Sequence, residues 1–308
     1  MTSRRSISLF FVLILISSLV LVSCQTGAVD LSPTPEQADP SLTASLPEPT
    51  LTPTVTPTPE PAALQVNGEV VPIWRYEGEL ARYQAAYPEA GPAEARAAVI
   101  DALVAETLLA QAARENGFTL SEEDLQARLE ELVAAAGGEQ AFEAWLAQNH
   151  FDREQFTRAL RSSMEASWQR DQIAASVPEE MEQIHARQIL FDRRETADQY
   201  YQRYQNVSNF SEVFENHAWQ FDPLTGGDLG WFPPGYLTVP ELDQALASLQ
   251  AGQLTSVVET ELGYHIVYVI ERGLHPLSPD ARLTLQRAAV EAWLQERLGQ
   301  SQVEDFTG

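Results

Sequence analysis

The sequence predicts an α+β protein in which a helical region precedes a region of mixed strands and helices. Between residues 75 and 175, apolar residues recur at the three- and four-residue spacing of amphipathic helices. Around Pro178 the pattern changes, and residues 261–272 (ELGYHIVYVIER) are typical of a buried strand. With 44% apolar residues, the chain has the composition of a globular protein.

Charge and cysteine content exclude several classes of function. All 19 basic residues are Arg, and 44 acidic residues give a net charge of −25. The absence of Lys excludes a P-loop, a pyridoxal Schiff base and a Ser-Lys dyad. An acidic chain is repelled by nucleic acid, so no nucleic-acid partner is expected. One Cys, and five His without ligand spacing, predict no structural metal.

The N-terminus predicts export and lipidation. After Arg4 and Arg5, the apolar run at 7–22 is typical of a signal peptide. It ends in Leu-Val-Ser-Cys, which resembles the bacterial lipobox, so we expect residues 1–23 to be removed and Cys24 to carry a lipid on the extracytoplasmic face of the cell membrane. An uncleaved membrane anchor is the alternative, because the run is of marginal length for a span.

Residues 24–63 are predicted to form a disordered tether. The stretch from Val29 to Ala63 holds nine of the 19 Pro residues and almost no large apolar side chain. It therefore buries too little surface to offset the entropy of ordering. At ~3.1 Å per residue it can span about 100 Å, enough to hold a globular body away from a membrane.

The region 64–178 is predicted to be a helical binding or scaffold module. It opens with a strand pattern at 64–72, in which Asn67-Gly68 suits a tight hairpin turn. Ser121 and Asp152 each precede a helix and have an Asp or Gln three residues later, which predicts N-caps. Nothing here resembles a catalytic constellation. The predicted helices cover residues 75–87, 93–116, 122–136, 140–148 and 153–175.

The second region, 179–273, mixes strands with short helices. We predict strands at 183–191 and 261–272, with helices, a loop and a turn between them. A last helix follows Ser278-Pro279, where Pro suits the first helical position, and runs to about Leu298. The intervening segments are helices at 195–205, 210–218 and 240–245, a loop at 222–232 and a turn at 252–255.

Two motifs carry a family resemblance. GGDLGWF at 226–232 is followed about 30 residues later by LGYHIVYVIER at 262–272. This pair resembles the parvulin peptidyl-prolyl isomerases, specifically the exported SurA/PrsA-type foldases. VNGEVV at 66–71 and AFEAWLAQNHFDREQF at 141–156 resemble the helical chaperone region of the same foldases.

The resemblance implies an architecture and an activity. A parvulin-like domain, an antiparallel sheet flanked by helices, would be inserted in a helical SurA-N-like chaperone body, with residues 274–308 packing back on that body. The expected activity is cis-trans isomerisation of X-Pro bonds in unfolded or newly exported polypeptides. Rotation about a peptide bond faces a barrier of ~18–20 kcal/mol, and the reaction requires no cofactor.

The resemblance also implies site residues. Parvulin sites combine an apolar Pro pocket, two mutually hydrogen-bonded His and a Cys or Asp near the substrate carbonyl. Here His265 matches the second His, and Asp222 is the candidate for the Cys/Asp position. Leu229 matches a pocket wall, while Leu242 and Leu237 stand where the family usually has Phe and Met.

The first family His is replaced by Gln188. The strand reads Ala-Arg-Gln-Ile-Leu at 186–190 where the family usually reads A-R-H-I-L. His185 is not a substitute, because three residues along a strand place it on the opposite face. Gln still donates and accepts hydrogen bonds. Two functions therefore remain open, an isomerase and a catalytically weak or inactive parvulin-fold chaperone that binds unfolded clients; the oligomeric state is left open.

Overall fold

The structure is a computed structural model that describes residues 60–206 and 210–308. The predicted signal segment, Cys24 and the tether up to residue 59 lie outside the described residues. The first half of the described chain contains β1 (Ala62–Val66), β2 (Glu69–Pro72), α1 (Ile73–Ala86), α2 (Pro92–Glu115), α3 (Glu122–Ala135), α4 (Glu139–Gln148) and α5 (Arg153–Ala175). The second half contains β3 (Glu180–Phe191), α6 (Arg194–Tyr204), α7 (Phe210–Phe221), β4 (Asp228–Phe232), α8 (Pro240–Leu246), β5 (Val258–Thr260), β6 (Gly263–Pro276), α9 (Pro279–Gly299) and β7 (Val303–Asp305).

The chain divides into two compact units. Among described residues, the N-terminal unit comprises residues 60–104, 121–160 and 302–308. It contains a three-stranded sheet in the order β2-β1-β7, with β1 antiparallel to both neighbours. The predicted β1–β2 turn is confirmed: Asn67 and Gly68 both have positive φ, 51° and 86°, as a type I′ turn requires.

Aromatic side chains form the helical core of the N-terminal unit. The Phe156 ring lies 5.4 Å from Phe142 and 5.6 Å from Phe151, in edge-to-face geometry. Trp74 meets Phe151 edge to face at 6.3 Å. The guanidinium of Arg82 lies 4.3 Å from the centre of the Phe151 ring, so a cation–π contact covers the cluster.

Both predicted N-caps are confirmed. The Ser121 hydroxyl accepts the backbone N–H of Asp124 at 3.0 Å. Asp152 and Gln155 form a reciprocal pair, in which each side chain accepts the other's backbone N–H, at 2.8 and 3.1 Å. This geometry satisfies donors that a helix start otherwise leaves unpaired.

The C-terminal unit comprises Ala105–Leu120 and residues 161–301, within which 207–209 are not described. Its antiparallel sheet has the order β4-β3-β6-β5, and β3 pairs with β6 along its whole length. Each sheet face carries a buried cluster. The helix-side cluster lies against α6 and α7, and the pocket-side cluster lies against α8. The helix-side cluster consists of Ile189, Phe191, Ala197, Tyr200, Phe214, Ala218 and Ile266. The pocket-side cluster consists of Ile184, Ala186, Phe232, Leu242, Leu246, Val267 and Val269.

Helix α9 contacts helical segments of the C-terminal unit. The Gln286 side chain donates to the carbonyl of Ala174 in α5 at 3.3 Å. Near its end, Arg297 forms an ion pair with Glu115, the last residue of α2. The predicted cap is confirmed, since the Ser278 hydroxyl accepts the N–H of Ala281.

Two predicted segments are corrected, and two further strands were not predicted. The tether was expected to extend to residue 63, but Ala62 and Ala63 belong to β1 and Ala63 is fully buried. The expected loop at 222–232 ends in a strand, because Asp228–Phe232 pairs with β3. Gly230, at φ 65°, interrupts the alternation that would have indicated this strand. The three-residue strands β5 and β7 are too short for a pattern of their own. In the part of the chain that the structure describes, no helix is long and apolar enough to cross a bilayer.

Candidate active site

His265 lies near the start of β6, one of the two inner strands of the sheet in the C-terminal unit. It is on β6, 2% exposed, and projects to the same face as Val267 of the pocket-side cluster. Leu190 of β3 and Val258 of β5 are its direct neighbours across the sheet. Two residues from these direct neighbours, the same strands carry the polar residues Gln188 and Thr260, which lie diagonal to His265. These diagonal neighbours come within side-chain reach in antiparallel sheets.

Both ring nitrogens of His265 are hydrogen-bonded to these diagonal neighbours. Nδ1 lies 2.9 Å from Oε1 of Gln188, and Nε2 lies 2.8 Å from Oγ1 of Thr260. Because an amide oxygen only accepts, this arrangement places the proton on Nδ1 and makes Nε2 the acceptor of the Thr260 hydroxyl. Burial lowers the pKa of His265, so the ring is neutral at pH 7.

The two adjacent glycines of the first motif are required by different neighbours, Gly227 by the backbone of Gln188 and Gly226 by the Trp219 ring. The N–H of Gln188 donates to the carbonyl of Gly227 at 2.8 Å. A side chain at Gly227 would overlap the carbonyl oxygen of Gln188, and its φ of 67° also favours glycine. The predecessor, Gly226, lies against the Trp219 ring. The turn therefore fixes the strand position that holds the His265 partner.

Asp222 organises this same turn. One carboxylate oxygen accepts the backbone N–H groups of Leu224 and Thr225, at 3.0 and 3.2 Å. The other accepts the Thr225 hydroxyl and, at 3.4 Å, the N–H of Gly227. Above all the Thr225 hydroxyl, and then these backbone donors, lower the pKa of Asp222, so this carboxylate is ionised at neutral pH. Asp222 is thus joined to Gln188 through the turn.

The three predicted pocket leucines lie together. Leu242 of α8 is 5% exposed and belongs to the pocket-side cluster, against which Leu229 and Leu237 pack in half-buried positions. Because Val267 of that cluster and His265 lie two residues apart on β6, the apolar surface and the hydrogen-bonded His share one sheet face.

His185 lies apart from this constellation, as the sequence predicts. Its neighbours Ile184 and Ala186 belong to the pocket-side cluster, so His185 projects from the other face. There its Nε2 lies 2.9 Å from Asp228, and its ring lies 5.4 Å from Trp231.

Thr260 is the site residue that the sequence analysis missed. It precedes the two-residue turn between β5 and β6, with Thr260 paired to Gly263. A hairpin assignment around Glu261-Leu262 would have placed Thr260 diagonal to His265. Because β5 is only three residues long, the sequence pattern did not indicate that hairpin.

Comparisons with known protein families match two successive parts of the chain. Residues 173–271 match the PPIC-type PPIase domain family (Rotamase), and residues 54–170 match the SurA-like N-terminal domain family. The first match contains Gln188, Asp222, His265 and the three pocket leucines; the second contains β1, β2 and the helices up to most of α5.

Several curated proteins are similar to part of this chain. The chaperone SurA of Nitrosospira multiformis is 33% identical over 142 residues, which are 40% of this chain and 32% of that protein. The foldase protein PrsA of Caldanaerobacter subterraneus subsp. tengcongensis is 29% identical over 175 residues, 55% of each. A crystal structure of the peptidylprolyl isomerase PrsA from Bacillus cereus aligns with a TM-score of 0.42 at 22% identity, covering 64% of this chain and 74% of that chain.

The chain spans between about a third and about half of the length of these two curated relatives. The α+β fold class is confirmed, with a helical N-terminal part and an antiparallel sheet flanked by helices. The chain therefore combines a SurA-like N-terminal domain with a PPIC-type PPIase domain, the two domains of the parvulin-type SurA/PrsA foldases and chaperones.

Proposed function

We propose that this chain is a membrane-anchored, extracytoplasmic peptidyl-prolyl cis-trans isomerase that assists the folding of exported proteins. The observation that carries the proposal is the His265–Gln188 hydrogen bond beside the apolar surface of Leu229, Leu237 and Leu242. The substrates are unfolded or newly exported polypeptides that contain X-Pro bonds. Anchoring through lipid on Cys24 is part of the proposal and rests on the sequence motif alone.

The reaction makes and breaks no covalent bond, so the site has to favour a geometry. At the transition state the amide is twisted and its resonance is lost. Leu229, Leu237 and Leu242 offer the prolyl ring an apolar surface, while the rest of the peptide is free to rotate. Only contacts that are stronger in the twisted state accelerate rotation, and each 1.36 kcal/mol of such preference gives a tenfold rate.

His265 and Gln188 supply a fixed polar edge to this apolar site. Thr260 and Gln188 bind both nitrogens of the neutral His265 ring. His265 therefore positions and polarises the substrate peptide without transferring a proton. The ionised carboxylate of Asp222 repels the partial negative charge that resonance places on the carbonyl oxygen of a planar amide. Repulsion by Asp222 therefore favours the twisted state, in which this charge is smaller.

A protease-coupled assay on a short X-Pro peptide tests the activity. The purified full-length protein should accelerate isomerisation above the spontaneous rate, and Leu229→Ala should raise KM several-fold because part of the pocket wall is removed. Leu274→Ala is the matched control, since Leu274 is 69% exposed on β6 outside the pocket-side cluster. No acceleration by the wild-type protein would contradict the proposal.

A chaperone with little turnover is the second candidate, and a feature of the N-terminal unit favours it. A cleft of about 220 Å³ in that unit is lined by Trp74, Glu77, Gly78, Ala81, His150 and Gln155. Its size fits a single large side chain of an unfolded client, to which the Trp74 ring offers an apolar contact beside the polar Glu77 and Gln155. The substitution of the first family His by Gln188 also favours weak turnover.

Aggregation suppression on an unfolded client separates the two candidates. Ala81→Arg would fill the cleft and should weaken client holding while isomerisation continues. Ala97→Arg, at an exposed position of α2, is the matched control for the added charge and bulk. Holding that is equal in both variants would exclude this cleft as the client site.

A further inference from the structure

The segment between β4 and α8, residues 233–239, is defined here as the pocket loop. It carries Leu237, and the ring of its Tyr236 also packs against the pocket-side cluster. On its inner side, the carboxylate of Asp243 in α8 accepts backbone N–H groups of Gly235 and Leu237. The loop therefore sets where the leucine side chain stands in the pocket.

The outer side of the pocket loop is attached to α9, which lies beyond the segment matched to the PPIase domain. The hydroxyl of Tyr236 donates to the carboxylate of Asp280 at 2.7 Å. This hydrogen bond to Asp280 is the main cause that raises the pKa of Tyr236. Beside it, Gly235 faces Leu285 of α9, and a Cβ at this position would lie at an ordinary van der Waals distance, 3.7 Å, from the leucine methyl group.

Helix α9 is itself fixed at several points in the same unit. Gln286 donates to the carbonyl of Ala174, and Arg297 pairs with Glu115. Just before the helix, the N–H of Leu277 donates to the carbonyl of Glu179 at 2.8 Å. The aspartate in its first turn is thus a fixed acceptor for the tyrosine hydroxyl.

We infer that Tyr236 is a positioning residue of the Pro pocket, held by Asp280 of α9, so that the C-terminal helix sets substrate affinity without contacting substrate. The inference rests on the proposed isomerase function. It adds a requirement that the PPIase segment alone does not contain, because Asp280 lies outside residues 173–271.

Kinetics of the full-length protein test this inference. Tyr236→Phe keeps the ring and removes only the hydroxyl, and we expect KM for an X-Pro peptide to rise about two- to fivefold with kcat little changed, the range for one net hydrogen bond at an exposed position. Asp280→Ala should raise KM by the same factor. Asp280→Asn should raise KM less, because its amide oxygen still accepts a hydrogen bond. The Tyr236→Phe/Asp280→Ala double variant should have a KM no higher than that of either single variant.

Tyr200→Phe is the matched control. This variant also removes one hydroxyl hydrogen bond, that between Tyr200 and His217 at 3.0 Å. Tyr200, however, lies in the helix-side cluster on the opposite sheet face. A merely structural effect would raise KM equally in both tyrosine variants. An unchanged KM in Tyr236→Phe, or additive effects of the two pocket-loop changes, would overturn the inference.

Hydrogen exchange keeps this test separate from that of the proposed function. In Tyr236→Phe and Asp280→Ala, the amides of residues 235–239 should exchange faster, whereas those of β3 and β6 should not. If the wild-type protein shows no turnover, the isomerase proposal fails, and titration of the same X-Pro peptide replaces KM as the readout. Unchanged exchange in the pocket loop overturns the inference whatever the turnover.

Discussion

We expect the residue at position 188 to set how efficient the proposed isomerase is. If the missing His limits turnover, Gln188→His should raise kcat/KM on an X-Pro peptide several-fold to about tenfold, since support within a hydrogen-bond network contributes ~0.5–1.5 kcal/mol. His265→Ala should lower it, because Gln188 and Thr260 both lose their partner.

The two positions should also be coupled. Direct contact at 2.9 Å predicts that the gain from Gln188→His disappears in the His265→Ala background. Wild type, both single variants and the double variant are compared in one assay, alongside client holding, which should stay constant. Additive effects would mean that this pair is not the catalytic pair.

Burial of His265 predicts a dependence of stability on pH. The folded-state pKa lies below the ordinary value of 6.5, so on acidification the unfolded chain takes up its proton first. The free energy of unfolding should therefore fall as the pH drops below about 6.5, by up to ~1.4 kcal/mol per pH unit, until the folded-state pKa is reached.

Urea unfolding of wild type and His265→Ala at pH 7.5, 6.5 and 5.5 isolates this contribution. Other titrating groups are common to both proteins, so the difference in stability should shrink as the pH falls. A difference that stays constant over this range would show that His265 does not titrate in the expected direction.

At the scale of elements, the turn between α7 and β4 is the most constrained segment of the site. Gly227→Ala forces a side chain onto the carbonyl oxygen of Gln188 at positive φ. Gly252→Ala is the matched control, because Gly252 has φ 83° but open space around it. In Gly252→Ala the free energy of unfolding should fall by ~1–2 kcal/mol through backbone conformation alone. In Gly227→Ala it should fall by ~1–3 kcal/mol more, because of the steric overlap.

Chemical denaturation gives both stabilities, and kcat/KM measured on folded protein gives the effect on the site. Gly227→Ala should lower activity, while Gly252→Ala should not. Equal losses of stability in the two variants would show that the close approach to Gln188 is relaxed without cost.

Helices and caps could be predicted from sequence because they depend on neighbours in the chain. The periodicity of α5 and the pair Asp152 and Gln155 gave its start directly. The strands β4 and β7 depend on partners far along the chain, β4 on β3 and β7 on β1. Strand β5 pairs with the adjacent β6 but is only three residues long. Their short patterns carry no signal of their own, and Thr260 was missed with β5.

The site could be predicted mainly because the family motifs marked it. His265 and Gln188 project to one sheet face, which alternation along β3 and β6 implies once the strands are assigned. The three leucines belong to or pack against the pocket-side cluster on that face. The contact of Tyr236 with Asp280 could not be predicted, because no pattern links a loop to a helix 44 residues later.

At the scale of the whole molecule, Cys24 is expected to decide where the protein resides. Cys24→Ala should release the protein from the membrane fraction, since covalent acyl chains contribute ~0.8 kcal/mol per buried methylene to membrane binding. Ser23→Ala is the control, because it keeps the cysteine and a small residue before it. Membrane retention of Cys24→Ala with an uncleaved N-terminus would instead indicate a transmembrane anchor.

The PPIase segment is expected to fold without the rest of the chain. Every residue of the helix-side and pocket-side clusters lies between Ile184 and Val269. The β3–β6 ladder, however, runs from Glu180 to Pro276, and Gln183 bonds to the carbonyl groups of His275 and Pro276. A fragment must therefore extend to residue 276 to keep the sheet intact.

A fragment of residues 180–276 should show native-like circular dichroism and cooperative unfolding, with Ile266→Asp as the control that disrupts a fully buried position. It should nevertheless bind an X-Pro peptide more weakly than the full chain, because it lacks Asp280, the partner of Tyr236. Peptide affinity equal to that of the full chain would show that α9 does not influence substrate binding in the pocket. An unfolded fragment would show that the helical segments 105–120, 161–175 and α9, which lie in the same compact unit, are part of one cooperative fold with the sheet.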